Sequence, residues 1–530
     1  MSELNTQIIA NLVAEMARSH PDLDVLTFED NGAEEIRTYR DLWQNGLRIA
    51  GALKSRGIKQ GERFAILMQN HPEFVEAMVA SAILGTVFVP IDPRTKGEKL
   101  AYMLRDSGCV GAICGDYALS SLMECAASVP SLHWCFVIGP QIADYPRNGT
   151  LAILGLRSFL AGAVPELTVA VQSESEPMQL MYTSGTTGDP KAILVRHARF
   201  GAVSMHGEAL FGYRPGDRPY TGLSLTHGNA QFVTLAPSLK MGLRAVFSRK
   251  FTKSRMWDVM RKYDCTSFCL LGGMVTAIYS EPRKPNDADN PARLVISAGM
   301  PAAIWEDFAK RFGVDIIEFY GAVEGGMTIK PADKGPIGSC GQVVPGLIAK
   351  VVDDDGNEVP RGTPGEILFR PANGLPSTVE YFNNSEAAAK KTEGGWLHSG
   401  DIVIMDDDGW VFFQHRKGGG IRHNGEFLNP AFIEKVLAEH PAIDDVHVYG
   451  ITAKSGAPGE QDVVAAVVAA AGVDFDPGAI FAWCQSRLET NMIPSFIQLL
   501  PELPKTASEK IQPRFLLEKF ENEPDGIYHR

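Results

Sequence analysis

Residues 178–195, MQLMYTSGTTGDPKAILV, set a loop rich in glycine and hydroxyl groups between two apolar segments. Met178 to Tyr182 is a short apolar run of strand type, and Ile193 to Val195 starts another. Between them Thr183, Ser184, Thr186 and Thr187 supply hydroxyls, Gly185 and Gly188 remove steric cover, and Lys191 adds a positive charge. Glycine lets consecutive backbone N–H groups turn toward an anion. A solvated surface turn has the same composition, and no GxxxxGK[ST] Walker pattern occurs. On its own residues the loop fits a phosphate cradle and a plain turn equally.

The flanking sequence alternates in the same way. Tyr39 to Arg56 has apolar residues at helical spacing, Phe64 to Met68 is a short strand, and Pro72 to Leu84 is helical again. Val87 to Ile91 then reads as a strand and Lys96 to Asp106 as a helix, and the alternation returns in 257–272 and 294–320. Short apolar strands separated by helices predict parallel α/β layers. From Gly335 to Trp410 the texture changes to strands such as Leu347 to Val352 and Gly365 to Arg370 joined by turns such as Asp355-Gly356-Asn357, a β-rich antiparallel subdomain. The densest glycine run, Arg416-Lys417-Gly418-Gly419-Gly420, precedes a small α+β unit. The expected division is a large N-terminal domain, 1–416, and a small C-terminal domain, 417–530. The glycine run itself reads as a surface turn or as a hinge.

Composition narrows the function classes. A chain of 530 residues exceeds one compact core. A net charge of −13 argues against a nucleic-acid binder, which carries a basic face. The first residues are acidic and lack a basic start before an apolar block, so an amphipathic helix is expected there rather than a signal peptide. The longest apolar run, Ala77 to Ile91, falls short of the ~20 residues that cross a bilayer and contains Gly85 and Pro90. It reads as a buried helix passing into a strand. Eight cysteines without CxxC spacing read as reduced core residues of a cytoplasmic protein.

Further blocks follow the loop in order: Glu318-Phe319-Tyr320-Gly321-Ala322-Val323-Glu324, Trp396-Leu397-His398-Ser399-Gly400-Asp401, Arg416 through Pro430, and Leu503-Pro504-Lys505-Thr506 with Lys510. With YTSGTTGDPK they make the chain resemble the adenylate-forming superfamily of acyl-CoA synthetases, peptide-synthetase adenylation domains and luciferases. The resemblance extends from Thr38 to Leu516, nearly the whole chain. It implies that Thr183, Ser184, Gly185, Thr186, Thr187 and Lys191 hold the phosphates of ATP. Gly299, Met300 and Pro301 would face Tyr320 across the adenine, with Glu318, Phe319 and Gly321 in the same nucleotide block. Asp401 and Arg416 would meet the ribose and Glu324 would ligate Mg²⁺. His227 would sit beside the acyl carboxylate, with Gly228, Asn229, Gly272, Gly273, Met274 and Ala322 around the acyl group. Lys510 would reach the α-phosphate, completing a catalytic set with Thr183, Lys191, His227 and Glu324. Gly418 would be the hinge of a mobile C-terminal domain. Without the resemblance, Glu324 is a solvated charge, His227 a satisfied structural residue, Asp401 and Arg416 an ion pair, and Lys510 an exposed lysine.

Three positions depart from the family pattern: Val323 replaces a threonine, Glu509 a glycine, and Gly418 an aspartate or lysine. None removes a charged group. The implied reaction joins a carboxylic acid to AMP with release of pyrophosphate, then passes the acyl group to coenzyme A. Adjacent glycines with apolar neighbours suggest a mainly hydrophobic, bulky acid. A stand-alone enzyme loading a carrier protein is the alternative. Coenzyme A is favoured because no carrier domain follows Lys510, and because 226–232 lacks the aspartate that pairs an amino acid's ammonium. The partners expected are a small carboxylic acid and coenzyme A, with no nucleic acid, no integral membrane segment and a homodimer as the default assembly.

Overall fold

The structure is a computed structural model that describes residues 4–139, 151–183, 189–279, 281–417, 421–428, 430–454, 456–457, 459–504, 511 and 513–530. Its first half is built from two large sheets. One has seven strands, in the order Ala152–Gly155, Trp134–Ile138, Cys109–Gly115, Arg63–Leu67, Val87–Pro90, Pro177–Thr183 and Lys191–Arg196. All its pairings are parallel except the last, where the two segments flanking the 184–188 loop run antiparallel. The other has nine strands, with Pro219–Thr221, Ala245–Ser248, Ser267–Leu271, Leu294–Ala298 and Asp315–Ala322 parallel at its centre. Antiparallel strands close both of its edges.

Helices join the sheets through one buried cluster. Helix Tyr39–Ser55 begins at a capping box in which Thr38 and Asp41 exchange hydrogen bonds, satisfying donors that a helix start leaves open. Helix Pro72–Leu84 has proline at its first position and stops at Gly85, whose φ of +66° suits glycine. Nearly every residue of that helix is buried, as the run Ala77 to Ile91 predicted. The two helices cross in backbone-close contact, since a Cβ on Gly46 would lie 2.7 Å from Val79. Phe28 and Phe247 of the nine-stranded sheet share this core with Phe64 and Phe88 of the seven-stranded one. The N-terminal segment forms helix Ile9–Ser19 with Ile9, Leu12 and Val13 on its buried face.

The β-rich stretch is a four-stranded antiparallel sheet of Leu347–Val352, Gly365–Pro371, Leu397–Met405 and Val411–Arg416. Beyond the glycine run comes a hairpin, Ile421–His423 with Glu426–Leu428. A second four-stranded sheet follows, with helices Pro430–Ala438 and Pro477–Arg487 packed around Ile433, Val463, Val467 and Ile480. The architecture is mixed α/β, with a large first part and a small second one. All eight cysteines are buried. Among the described residues no helix is long and apolar enough to cross a membrane.

Candidate active site

Parallel sheets present ligand-binding loops at the carboxyl ends of their strands, and Thr183, Gly272 and Gly299 lie at or just past such ends. Thr183 ends strand Pro177–Thr183 and pairs in register with Lys191. Ser184, Gly185, Thr186 and Thr187 lie outside the described residues, as do Gly418 and Lys510. Lys191 Nζ stands 5.6 Å from the centre of the Tyr381 ring. The Tyr381 hydroxyl donates to Glu324 Oε1 at 3.2 Å, and a bridge to Ile193 fixes the tyrosine's backbone. Lys191 and Glu324, 133 positions apart by their numbers, thus meet through one aromatic ring. Arg199, on helix His197–Met205, donates to the Ala322 carbonyl at 2.8 Å. Burial lowers its pKa, and the Glu324 carboxylate works against that shift. Tyr381 and Arg199 carry no sequence signal of their own. A cavity of about 310 Å³ opens beside Lys191, lined by Tyr102, Asp106, Asp189 and Asn383. A larger groove of about 790 Å³, lined by Arg293, Asp315 and Lys330, lies at the amino ends of the strands and contains no predicted site residue.

The 318–321 block divides by strand alternation. Glu318 is buried, and its carboxylate accepts N–H bonds from Gly299 and from Met300. Burial pushes its pKa up to about 7, against the pull of those amides and of Arg422. The side chain therefore shapes the Gly299-Met300 turn from beneath. The Tyr320 hydroxyl donates to Asp401 Oδ2 at 2.5 Å, and its ring stacks on Phe369. Burial and the Asp401 carboxylate hold this phenol well above the ordinary tyrosine range. Phe319 points to the other face and packs edge-on against Phe211, while Gly321 backs onto the Gly326 carbonyl. Strands 397–405 and 411–416 set Asp401 opposite the backbone of Arg416, whose side chain lies outside the described residues.

A Cβ on Gly272 would lie 2.9 Å from the Gly299 carbonyl oxygen, so this glycine serves close backbone approach. Gly299 answers from the other side with φ +103°. The surroundings of Gly273 lie outside the described residues, and Met274 packs partly buried against the core beneath helix Gly272–Tyr279.

His227 lies in the loop that follows strand Pro219–Thr221 of the nine-stranded sheet. The Asn229 backbone N–H donates to its Nδ1 at 3.2 Å, which leaves Nε2 to carry the proton of the neutral ring. The residue reaches solvent although the cleft crowds its ring; that crowding lowers its pKa, and the carboxylates of Glu426 and Asp92 oppose the shift. The Asn229 side chain turns away into the sheet and accepts from the Cys269 thiol. A Cβ on Gly228 would touch Val323 and Phe232, so Val323 makes an apolar contact at the position where a hydroxyl was expected. The loop is pinned by Asn70, which is buried at the end of the other sheet. Its amide donates to the carbonyls of Leu223 and Ser248, and its oxygen accepts from Leu225 N, each at 2.8 Å. Residues Ala230–Leu235 continue as a π-helix, a form common at functional sites.

The hairpin 421–428 lies over this cleft. Its Asn424-Gly425 turn has φ of +53° and +79°, the geometry of tight hairpins. A Cβ on Gly425 would come 3.1 Å from Leu271, and one on Gly299 3.5 Å from Arg422. Arg422 pairs with Glu460 at 3.0 Å, and Glu460 also accepts from Gly425 N. The hairpin residues Arg422, Gly425 and Glu426 belong to the junction block, but their approach to Leu271 and Gly299 was not read from the sequence.

Residues 13–376 match the family model described as AMP-binding enzyme, and residues 433–510 match the AMP-binding enzyme C-terminal domain. The chain is 28% identical over 520 residues to crotonobetaine/carnitine–CoA ligase of Salmonella heidelberg (strain SL476), covering 96% of this chain and 99% of that protein. Among solved structures, a double mutant of o-succinylbenzoate CoA synthetase from Bacillus subtilis with the product analogue OSB-NCoA superposes with a TM-score of 0.79 at 22% identity, covering 96% of this chain and 98% of that one. The same synthetase with the acyl-adenylate OSB-AMP gives 0.65 at 22% identity, covering 95% and 97%. The matched families, their order along the chain and the shared fold lead to one conclusion: the chain belongs to the AMP-binding enzyme family.

Proposed function

We propose that the chain is an AMP-forming carboxylate–CoA ligase, acting on ATP, a mainly hydrophobic carboxylic acid and coenzyme A. The observation that carries this reading is the meeting of Lys191, Tyr381 and Glu324 on one side of a cleft whose other side holds His227 under the hairpin. A carboxylate is a poor acyl donor because its leaving group would be oxide. Attack of its oxygen on the α-phosphorus of ATP forms the acyl-adenylate and expels pyrophosphate. Positioning and charge neutralisation dominate such a displacement. In this reading Lys191 and the 183–187 hydroxyls take the β- and γ-phosphates, Tyr320, Asp401 and the Gly299-Met300 turn take the nucleoside, and Lys510 meets the α-phosphate.

Glu324 fits Mg²⁺. Its carboxylate is half-exposed and accepts from Tyr381, whose ring lies beside Lys191, and Mg²⁺ is commonly held by one or two carboxylates together with substrate phosphates. When bound, the ion would neutralise phosphate charge. Among the described residues no group of three or more His, Cys, Asp or Glu forms a protein-only cage.

In the second step the coenzyme A thiol attacks the acyl carbon, the acyl–phosphate bond breaks, and AMP leaves. The hairpin over Leu271 and Gly299 supports assignment of this arrangement to that step. So does the closer superposition on the synthetase holding the CoA product analogue. Residues 1–416 would then carry the adenylation machinery, and 417–530 would rotate about Gly418. Val323, Phe232 and Leu271 favour an apolar acyl group, while the carboxylates facing His227 and the carnitine-type relatives call for zwitterionic acids in the test. Incubation with ATP, a panel of fatty, aryl and zwitterionic acids, and either coenzyme A or a carrier protein is expected to give AMP, pyrophosphate and a CoA thioester. Acyl transfer to the carrier alone would replace this reading with the carrier-loading one.

A further inference from the structure

Residues 92–99 run from the turn after strand Val87–Pro90 into the first turn of helix Gly97–Ser107. Asp92 there binds Arg94 through both oxygens, at 2.9 and 2.6 Å, and its charge faces His227. The same segment meets the C-terminal unit with cations. Lys99 Nζ lies 2.9 Å from Glu489, the two side chains being 15% and 12% exposed. Arg94 lies 3.8 Å from Glu426 of the hairpin, and Asn491 donates to the second Glu426 oxygen at 2.8 Å. Two cations from the first part of the chain thus oppose two carboxylates from the second, next to the cleft.

We propose that Lys99 and Glu489, with Arg94 and Asn491 on Glu426 beside them, are positioning residues that latch the hairpin over the cleft for thioester formation. The proposal rests on the two-step ligase reading. A pair shielded from water on both sides is screened less than a surface pair. Removing one partner leaves a poorly solvated charge, so each depends on the other. Lys99 and Glu489 make no described contact with Lys191, Tyr320, Asp401 or His227. Loss of the latch therefore withdraws the hairpin without touching the groups assigned to adenylation. Release of the same pairs frees the unit to rotate and bring Lys510 to the nucleotide.

The test uses the full chain as wild type, Lys99→Glu, Glu489→Lys and the double reversal. Each is assayed for ATP–pyrophosphate exchange and for thioester formation with the acid found by the panel. Each single reversal is expected to slow thioester formation roughly tenfold while exchange changes by less than about twofold, and the double to recover to within about threefold of wild type. Melting temperatures show whether the variants fold; if the reversals do not, Lys99→Met and Glu489→Gln must show the same selective slowing. Singles with unchanged thioester formation, or a double no faster than the slower single, overturn the latch and leave the ligase reading intact. A wild type inactive in both assays overturns the ligase reading and the latch with it.

Discussion

A methyl group at position 272 would sit 2.9 Å from the Gly299 carbonyl, a contact between backbones that no side-chain rotation relieves. Gly272→Ala is expected to cost about 1–3 kcal/mol, as overpacking does. Because the displaced turn is the one assigned to adenine, the KM for ATP should rise as well. Calorimetry and pyrophosphate exchange check the two effects, and an unchanged Tm would remove the packing argument. Glu318, beneath the same turn, titrates near pH 7 instead of its ordinary 4.5 because burial penalises its charge. With the folded pKa raised, its contribution to stability is complete below about pH 4.5 and is lost as pH rises toward 7. The wild type should therefore lose more unfolding free energy between pH 5 and pH 7 than Glu318→Gln, by roughly 1 kcal/mol per pH unit. Parallel pH profiles would show that Glu318 does not titrate there.

The hairpin's turn joins two demands, a backbone at φ +79° and contact with Leu271 at Gly425. Gly425→Val violates both. It is expected to cut thioester formation at least about tenfold, a loss of roughly 1.4 kcal/mol in barrier terms, with exchange near wild type. Equal loss of both half-reactions would mean the turn also serves adenylation. The strands and helices of the parallel layers were legible because alternation and punctuation are local: Gly85 ends a helix whether or not its neighbours are known. The antiparallel return at Lys191–Arg196 was less so, since four apolar residues do not reveal the strand they pair with. The close approach of Gly272 to the Gly299 carbonyl was not legible, because a sequence does not show which distant backbone lies against a glycine.

Across the whole molecule, legibility of the site followed motif density. Blocks containing Glu324, Tyr320 and Asp401 announced themselves, whereas Tyr381, Arg199 and Asn70 act through partners 57, 123 and 153 positions away. The proposed rotation of the C-terminal unit about Gly418 gives opposite expectations for two variants. Gly418→Pro, which restricts the backbone where the proposed hinge would turn, should spare pyrophosphate exchange and cripple thioester formation. Lys510→Ala should abolish exchange while thioester formation from supplied acyl-adenylate persists. Coincident loss in both assays for Gly418→Pro would remove the hinge.

Asn70 ties the His227 loop to the ends of both large sheets, so the walls of the cleft form one rigid frame. New acids are then accommodated by exchanging side chains on that frame rather than by spreading its layers. Selection for a different substrate, in nature or in the laboratory, should accumulate its changes on the cleft surface and leave Asn70 untouched.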